Sequence, residues 1–162
     1  MTELLHFDQN LFLILNGTLH NNYLDFLMPI LREKIIWAPL YVFIAGFLIL
    51  NFKREGLLIL LFLIATVSAC DTLSSKVIKP WIKRDRPCND PEIGPQTRLL
   101  VHCGGGKSFT SSHATNHFGI ASFLGLIFVR RFPKLPYVLF GWAAAIAYAQ
   151  VYVGVHLSLI HI

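Results

Sequence analysis

Charge is scarce in this sequence. Of 162 residues only 14% are Asp, Glu, Lys or Arg, while 54% are hydrophobic and the mean hydropathy is +0.56. An average soluble domain carries about 25% charged residues, so the shortfall excludes an ordinary water-soluble domain and makes a membrane the natural solvent. No internal repeat or low-complexity tract divides the chain, and 1–162 is read as one domain. No basic stretch precedes the first apolar run, where Glu3, His6 and Asp8 stand instead; a cleavable leader opens differently, and the expectation is insertion through the chain's own helices.

Long apolar runs are what the sequence does have. Roughly 20 residues cross the hydrocarbon core, and four stretches qualify: Ile35–Phe52, Gly56–Ser75, Ala114–Val129 and Leu135–Val155, the first and last without a charge. The expected architecture is all-α, an integral membrane bundle of four spanning helices. Residues 1–34 alternate apolar runs with breaks at Asn16-Gly17, Asn21-Asn22 and Pro29, which suits short helices lying at the interface. The loops Lys53-Arg54 and Arg130-Arg131 with Lys134 fall on one side, and their basic excess makes that side cytoplasmic. The segment from about Lys79 to Ser112 then lies outside, although it too is basic, with Lys79, Lys83, Arg84, Arg86, Arg98 and Lys107 against Asp85, Asp90 and Glu92. Cations retained there point to an anion. Cys88 and Cys103 bracket this segment; if the outer side is oxidising they can close it as a disulfide, the alternative being two free thiols. Cys70 lies within a span.

Three places carry candidate chemistry. A seven-residue step puts Lys79 and Arg86 on one face of a helix, two turns apart, and Pro87 tends to end that helix at Arg86; the pair either faces one anion or forms a basic belt reaching to headgroups. Cys103-Gly-Gly-Gly-Lys-Ser-Phe-Thr-Ser-Ser-His113 runs into the third span, and such a loop can turn backbone N–H groups and a helix dipole toward an anion. Ser111 and Ser112 are helix-cap candidates, a role compatible with phosphate binding. His117, four residues past His113, raises a metal pair, but no further ligand completes a set, and a buried, hydrogen-bonded histidine is the better account. Asp71 is an intramembrane acid that is either functional or paired with Lys76 or Lys79. His156 closes the set at the outer end of the fourth span. Two histidines at one anion site suggest a nucleophile and a general acid, with cations and backbone donors holding the equatorial oxygens.

Together these segments resemble the type-2 phosphatidic acid phosphatase superfamily, whose pattern is K-x6-R-P, then P-S-G-H, then S-R-x3-G-x-H-x3-D. Lys79, Arg86 and Pro87 match the first part. Ser111 and His113 match the second, with Thr110 and Ser112 in place of its proline and glycine. Gly154 and His156 match the third, where Ala149 and Gln150 replace Ser-Arg and Ile160 replaces the aspartate. The resemblance covers about residues 35–156. It implies His156 as nucleophile, His113 as general acid, and Lys79, Arg86, Ser111, Ser112 and Gln150 as phosphate ligands, with no metal and no cofactor. Glutamine donates but brings no charge, so Arg84 or Lys83 is the expected compensator. The family aspartate accepts the nucleophile's imidazole N–H, which Ile160 cannot do.

Leu157-Ser-Leu-Ile-His-Ile162 is what CTGTCTCTTATACACATC, a common transposase adapter, encodes. The expectation is that 157–162 are not native, that one or two helices of the family bundle are missing, and that His161 carries no function. The implied activity is hydrolysis of a lipid phosphate or diphosphate monoester, with undecaprenyl diphosphate favoured, at the outer face of a bacterial inner membrane. The implied partners are the lipid substrate and the bilayer, and no oligomeric state is implied. A catalytically silent headgroup-binding or scaffold member is the alternative. A vanadate-dependent peroxidase is excluded because those relatives are soluble. Nucleic-acid binding, despite the +5 net charge, is excluded because the cations adjoin apolar spans and lack interleaved aromatics. Sequencing the native locus across codon 156 is expected to show a reading frame that continues with an Asp-bearing segment in place of the adapter-like one; a frame that ends in those six residues disproves the idea.

Overall fold

The computed structural model describes residues 2–105 and 107–157, so the positions of Ile160 and His161 lie outside the described residues. Among these residues the regular structure is entirely helical, as the hydropathy pattern requires. In a low-dielectric solvent only helices or closed barrels satisfy their own backbone. Helix α1 (Thr2–Leu13) continues into a wider π turn at Ile14–Thr18, and α2 covers Asn22–Arg32. Asn21 caps α2 by accepting from the Leu24 amide at 2.8 Å. The two Asn-containing breaks thus correspond to helix ends, whereas Pro29 lies within α2. Loss of one amide donor there is offset by packing of the neighbouring Met28 in a cluster with Ala149, Tyr152, Val153 and Val155.

Helix α3 (Lys34–Thr72) holds the first two apolar runs and reverses at Lys53, whose φ of 50° and ψ of −118° are not helical. The reversal is tight: a Cβ built on Gly56 would stand 1.9 Å from the Leu48 carbonyl oxygen, so only glycine fits. The limbs 34–52 and 54–72 therefore lie side by side, with Leu48 and Leu63 in one buried cluster. The second limb continues through a π segment (Leu73–Ile78) into the short α4 (Lys79–Ile82). Helices α5 (Ser112–Phe128) and α6 (Leu135–Tyr152) pack against each other along their length. The residues buried between them are small or aliphatic: Ala121, Leu124 and Gly125 on α5, and Ala143, Ile146 and Ala147 on α6. Small residues permit close approach where no hydrophobic effect drives helices together. At Gly119 a Cβ would lie 2.7 Å from Cys70 Sγ, which brings α5 equally close to α3. Among the described residues two helices, the one beginning at Lys34 and Leu135–Tyr152, are long and apolar enough to cross a membrane by length and composition.

Polar contacts tie the N-terminal helices to the end of α6. Asn16 is fully buried and donates to the carbonyls of Tyr152 (2.7 Å) and Arg98 (2.8 Å), while its side-chain oxygen accepts from the Arg98 amide at 2.8 Å. Arg98 also forms an ion pair with Asp25, and Asp25 accepts from the Tyr152 hydroxyl at 2.7 Å. Residues 83–111 form the long connection, with 3-10 turns at Pro87–Asn89 and Gly94–Gln96. Cys88 and Cys103 are bonded, with Cα atoms 6.2 Å apart. Arg84 reaches buried Asp8 at 2.7 Å, and Lys107 reaches Asp85 at 2.6 Å.

The hairpin carries a direct test. Gly56→Val forces the limbs of α3 apart and is expected to destabilise the detergent-solubilised chain by about 1–3 kcal/mol, the usual range for overpacking. Gly46→Val, where an added Cβ meets nothing within 4 Å, is expected to change the thermal midpoint little.

Candidate active site

Six of the seven sequence-derived catalytic and phosphate-binding candidates meet at one cavity of about 620 Å³. Lys79, Arg86, Ser112, His113, Gln150 and His156 all line it. They arrive on separate elements. Lys79 opens α4, but that helix stops at Ile82 and Lys83 takes a left-handed φ of 55°. Arg86 therefore does not share a helical face with Lys79, as the spacing suggested; it lies in extended backbone, φ −74° and ψ 150°, which Pro87 imposes on its predecessor. The loop returns Arg86 to the cavity beneath Gly104, where an added Cβ would lie 3.9 Å from the guanidinium. The Cys88–Cys103 bond staples together the two chain segments that make this contact.

Ser111 is the member that stays out. It is the N-cap of α5, and its hydroxyl accepts from the Ala114 amide at 3.4 Å, so capping consumes it. Ser112 faces inward and accepts from Lys79 Nζ at 2.9 Å. Behind it, fully buried Ser74 bonds Thr110 Oγ1 at 2.8 Å and Ser112 Oγ at 3.1 Å. The serine-rich loop is thereby tied to the second limb of the hairpin. Ser74 belongs to no motif, and its only trace in the sequence is a polar residue at the end of an apolar run.

His156 is buried at 7% exposure. The backbone that carries it leaves α6 through Gly154, φ 86°, where a Cβ would collide with the Arg98 carbonyl at 2.7 Å. Nδ1 of His156 lies 2.7 Å from the Ser108 carbonyl oxygen. A carbonyl only accepts, so Nδ1 carries the proton and Nε2 keeps its lone pair. Ser108, missed in the sequence, thus supplies the acceptor that the family pattern assigns to an aspartate. Burial, reinforced by the Arg86 cation, pushes the imidazole pKa from 6.5 down to about 3. Neutral imidazole is the form a nucleophile requires.

The electrostatics of the cavity are one-sided. Arg32 and Lys34, which no motif indicated, line it together with Lys79 and Arg86, and Asp71 is the one carboxylate among the lining residues. Burial and the neighbouring cation Arg86 push the Lys79 ammonium below its ordinary value, and burial and Arg32 do the same to the Arg86 guanidinium. Nε2 of Gln150 is buried with no hydrogen-bond partner, as is Nε of Arg86. These are donors waiting for an acceptor. The expected compensators for the uncharged Gln150 are not at hand: Arg84 is held by Asp8, and Lys83 is exposed and absent from the lining. The extra charge comes from Arg32 and Lys34 instead.

Two open questions about neighbouring residues close here. The ring of His117 has both nitrogens occupied, with Nδ1 2.6 Å from the His113 carbonyl and Nε2 2.9 Å from the Tyr41 hydroxyl. It is a buried, satisfied histidine that braces the first turn of α5. Asp71 accepts from Asn116 at 3.3 Å across to α5 and pairs with neither Lys76 nor Lys79 as an ion pair.

Residues 56–158 match the PAP2 superfamily. The chain is 34% identical over 152 residues to the lipid A 4'-phosphatase of Bacteroides thetaiotaomicron, covering 92% of this chain and 66% of that protein. It is 32% identical over 158 residues to the lipid A 4'-phosphatase of Porphyromonas gingivalis, with coverage of 96% and 66%. Phosphatidylglycerophosphatase B of Bacillus subtilis is 29% identical over 150 residues, with coverage of 88% and 63%. The chain thus spans just under two thirds of the length of these relatives. Its fold is similar to the crystal structure of a transmembrane PAP2-type phosphatidylglycerolphosphate phosphatase from Bacillus subtilis, with a TM-score of 0.70 at 24% identity, covering 97% of this chain and 76% of that one.

The depressed pKa of His156 has a consequence for stability. Between about 3 and 6.5 the unfolded chain binds a proton at this position and the folded chain does not, so stability rises with pH across that window and is lost as pH falls through it. Unfolding midpoints measured from pH 7 to pH 4 are expected to drop, and to drop less steeply in His156→Asn.

Proposed function

The chain belongs to the PAP2 superfamily, and from that premise we propose that it hydrolyses a lipid phosphate monoester through a phosphohistidine intermediate. The observation that carries the proposal is the convergence of two histidines, two motif cations and the unpartnered amide of Gln150 on one cavity. In the first step Nε2 of His156 attacks phosphorus and forms an N–P bond as the P–O bond to the lipid breaks. His113, which takes up a proton once the phosphate dianion lies beside it, gives that proton to the departing oxygen. In the second step His113, now neutral, takes a proton from water; the resulting oxygen attacks phosphorus, the N–P bond breaks, and inorganic phosphate leaves. Lys79, Arg86, Ser112 and Gln150 hold the equatorial oxygens as negative charge builds there. No step calls on a metal or cofactor.

A membrane setting supports a lipid substrate. Apolar side chains stand outward along the helices, Phe62 at 63% and Leu126 at 78% exposure among them, and such a surface is stable only against lipid. The proposed topology has four spans, the two limbs of α3 together with α5 and α6, and α1 and α2 at the interface. The Lys53 and Arg130-Arg131 turns then sit at the cytoplasmic end and the cavity at the outer one. A phosphate at headgroup depth meets the cavity with its acyl or prenyl tail still in the bilayer.

Lipid A phosphate and phosphatidylglycerol phosphate come first as substrates, because the relatives' names point to them. Undecaprenyl diphosphate, favoured on chain size, follows them. A silent headgroup-binding member is the second reading, favoured by Gln150 in place of the family arginine. The Ser108 carbonyl weighs against it, because it orients His156 without the family aspartate.

The test is phosphate release from this panel by the detergent-solubilised protein expressed from the native gene. His156→Ala is expected to abolish turnover, by about 10⁴-fold or more for loss of a covalent nucleophile. His113→Ala is expected to cost about 10²–10⁴-fold, the usual worth of a general acid. Turnover that survives His156→Ala overturns the mechanism. Lipid binding with no phosphate release from any substrate makes the silent reading the correct one.

A further inference from the structure

Two of the four cations facing the cavity, Arg32 and Lys34, take no part in the reaction above. They flank Glu33 at the junction of α2 and α3, where the backbone is extended, φ −74° and ψ 125°. Both line the cavity. An arginine in a last helical turn ordinarily complements the helix dipole from the surface. Arg32 is instead drawn inward, with Nε buried and without a hydrogen-bond partner. Among the described residues neither Arg32 nor Lys34 forms an ion pair.

Charge balance says what they await. Arg32, Lys34, Lys79 and Arg86 bring four positive charges to the lining and Asp71 one negative charge, a net of three with the histidines neutral. A phosphate monoester dianion leaves one positive charge unmatched, two once His113 is protonated for the reaction, and a second anionic group on the substrate offsets it. The cations also lie within electrostatic reach of the reacting groups: Arg32 acts on Arg86 and His113, and Lys34 on Lys79 and His113.

We propose that Arg32 and Lys34 form a second anion subsite beside the scissile phosphate, selecting substrates that carry a further phosphate close to the one cleaved. This rests on the reading of the cavity as a phosphate site. Two substrate chemistries present such a group, a diphosphate ester and a headgroup bearing two separate phosphates. They differ in the distance between the phosphorus atoms.

Three phosphonates that contain no hydrolysable bond read the subsite by binding alone, measured by calorimetry on the full chain in detergent. Methylphosphonate fills one anion position, methylenediphosphonate mimics a diphosphate, and trimethylenediphosphonate mimics separated phosphates. At least one diphosphonate is expected to bind about tenfold or more tighter than methylphosphonate, the scale of one additional charge-assisted contact. In the Arg32→Gln/Lys34→Gln double variant the preference is expected to shrink to about twofold or less, with methylphosphonate affinity altered far less. Arg32→Lys/Lys34→Arg is expected to keep the preference, which separates loss of charge from loss of fold. The diphosphonate that discriminates identifies the substrate chemistry. Absence of any preference in the native chain, or a preference that persists in the double variant, overturns the subsite. If methylphosphonate binds and phosphate release requires His156, that failure is confined to the subsite; if methylphosphonate does not bind at all, the phosphate-site reading fails with it.

Discussion

The rest of the structure depends on a cluster of like charges gathered at one cavity. Arg32, Lys34, Lys79 and Arg86 face one cavity with Asp71 as the lining carboxylate, and burial alone already disfavours the charged forms of Lys79 and Arg86. Such a cluster opposes folding: its members repel one another, and the half-buried Arg32, Lys79 and Arg86 also lose hydration. It persists only because packing elsewhere over-determines the positions of the chain segments that carry it. An anion entering the cavity relieves that repulsion, so the charge that opposes folding is also the charge that favours anion binding.

The packing that enforces the cluster comes from elements distant in sequence. The tight hairpin at Lys53–Gly56 sets the second limb of α3 beside the first, which carries Lys79 and Ser74 to the base of the serine loop. The disulfide holds Arg86 against Gly104. At the other end, Asn16, Asp25 and Arg98 grip the last turn of α6 through Tyr152. Their grip fixes the point at which Gly154 turns the backbone and delivers His156. A cavity built this way tolerates little displacement, because its lining groups come from several elements that cannot move as one unit.

The departures from the family pattern become intelligible in three dimensions. Loss of the arginine at position 150 removes one cation from the phosphate site, and the junction of α2 and α3 returns two. An acceptor for the nucleophile's N–H comes from the Ser108 carbonyl at 2.7 Å, a fixed dipole rather than a charge. A neutral acceptor orients the ring and selects its tautomer. Low basicity in a site rich in cations keeps the lone pair of Nε2 free, as the proposed attack on phosphorus requires.

Hydropathy by itself determined that the chain is helical and where the apolar runs lie, because burying unsatisfied backbone in an apolar medium is prohibitive and helix is the local remedy. The short motifs pointed to six of the seven candidate side chains that meet at the cavity, because histidine, lysine and arginine beside proline and glycine have few other uses at the ends of apolar helices. Tertiary structure alone decided the rest. No local rule distinguishes Ser111, consumed as a cap, from Ser112, aimed at Lys79; the difference is one of helical phase against a neighbour 33 residues away. Nor does any local rule mark Arg32, Lys34, Ser74 or Ser108, whose roles arise from contacts across the fold, or remove Arg84, which Asp8 claims from the far end of the chain. Spacing along a polymer reports what one element can present, and only the meeting of elements decides what each residue faces.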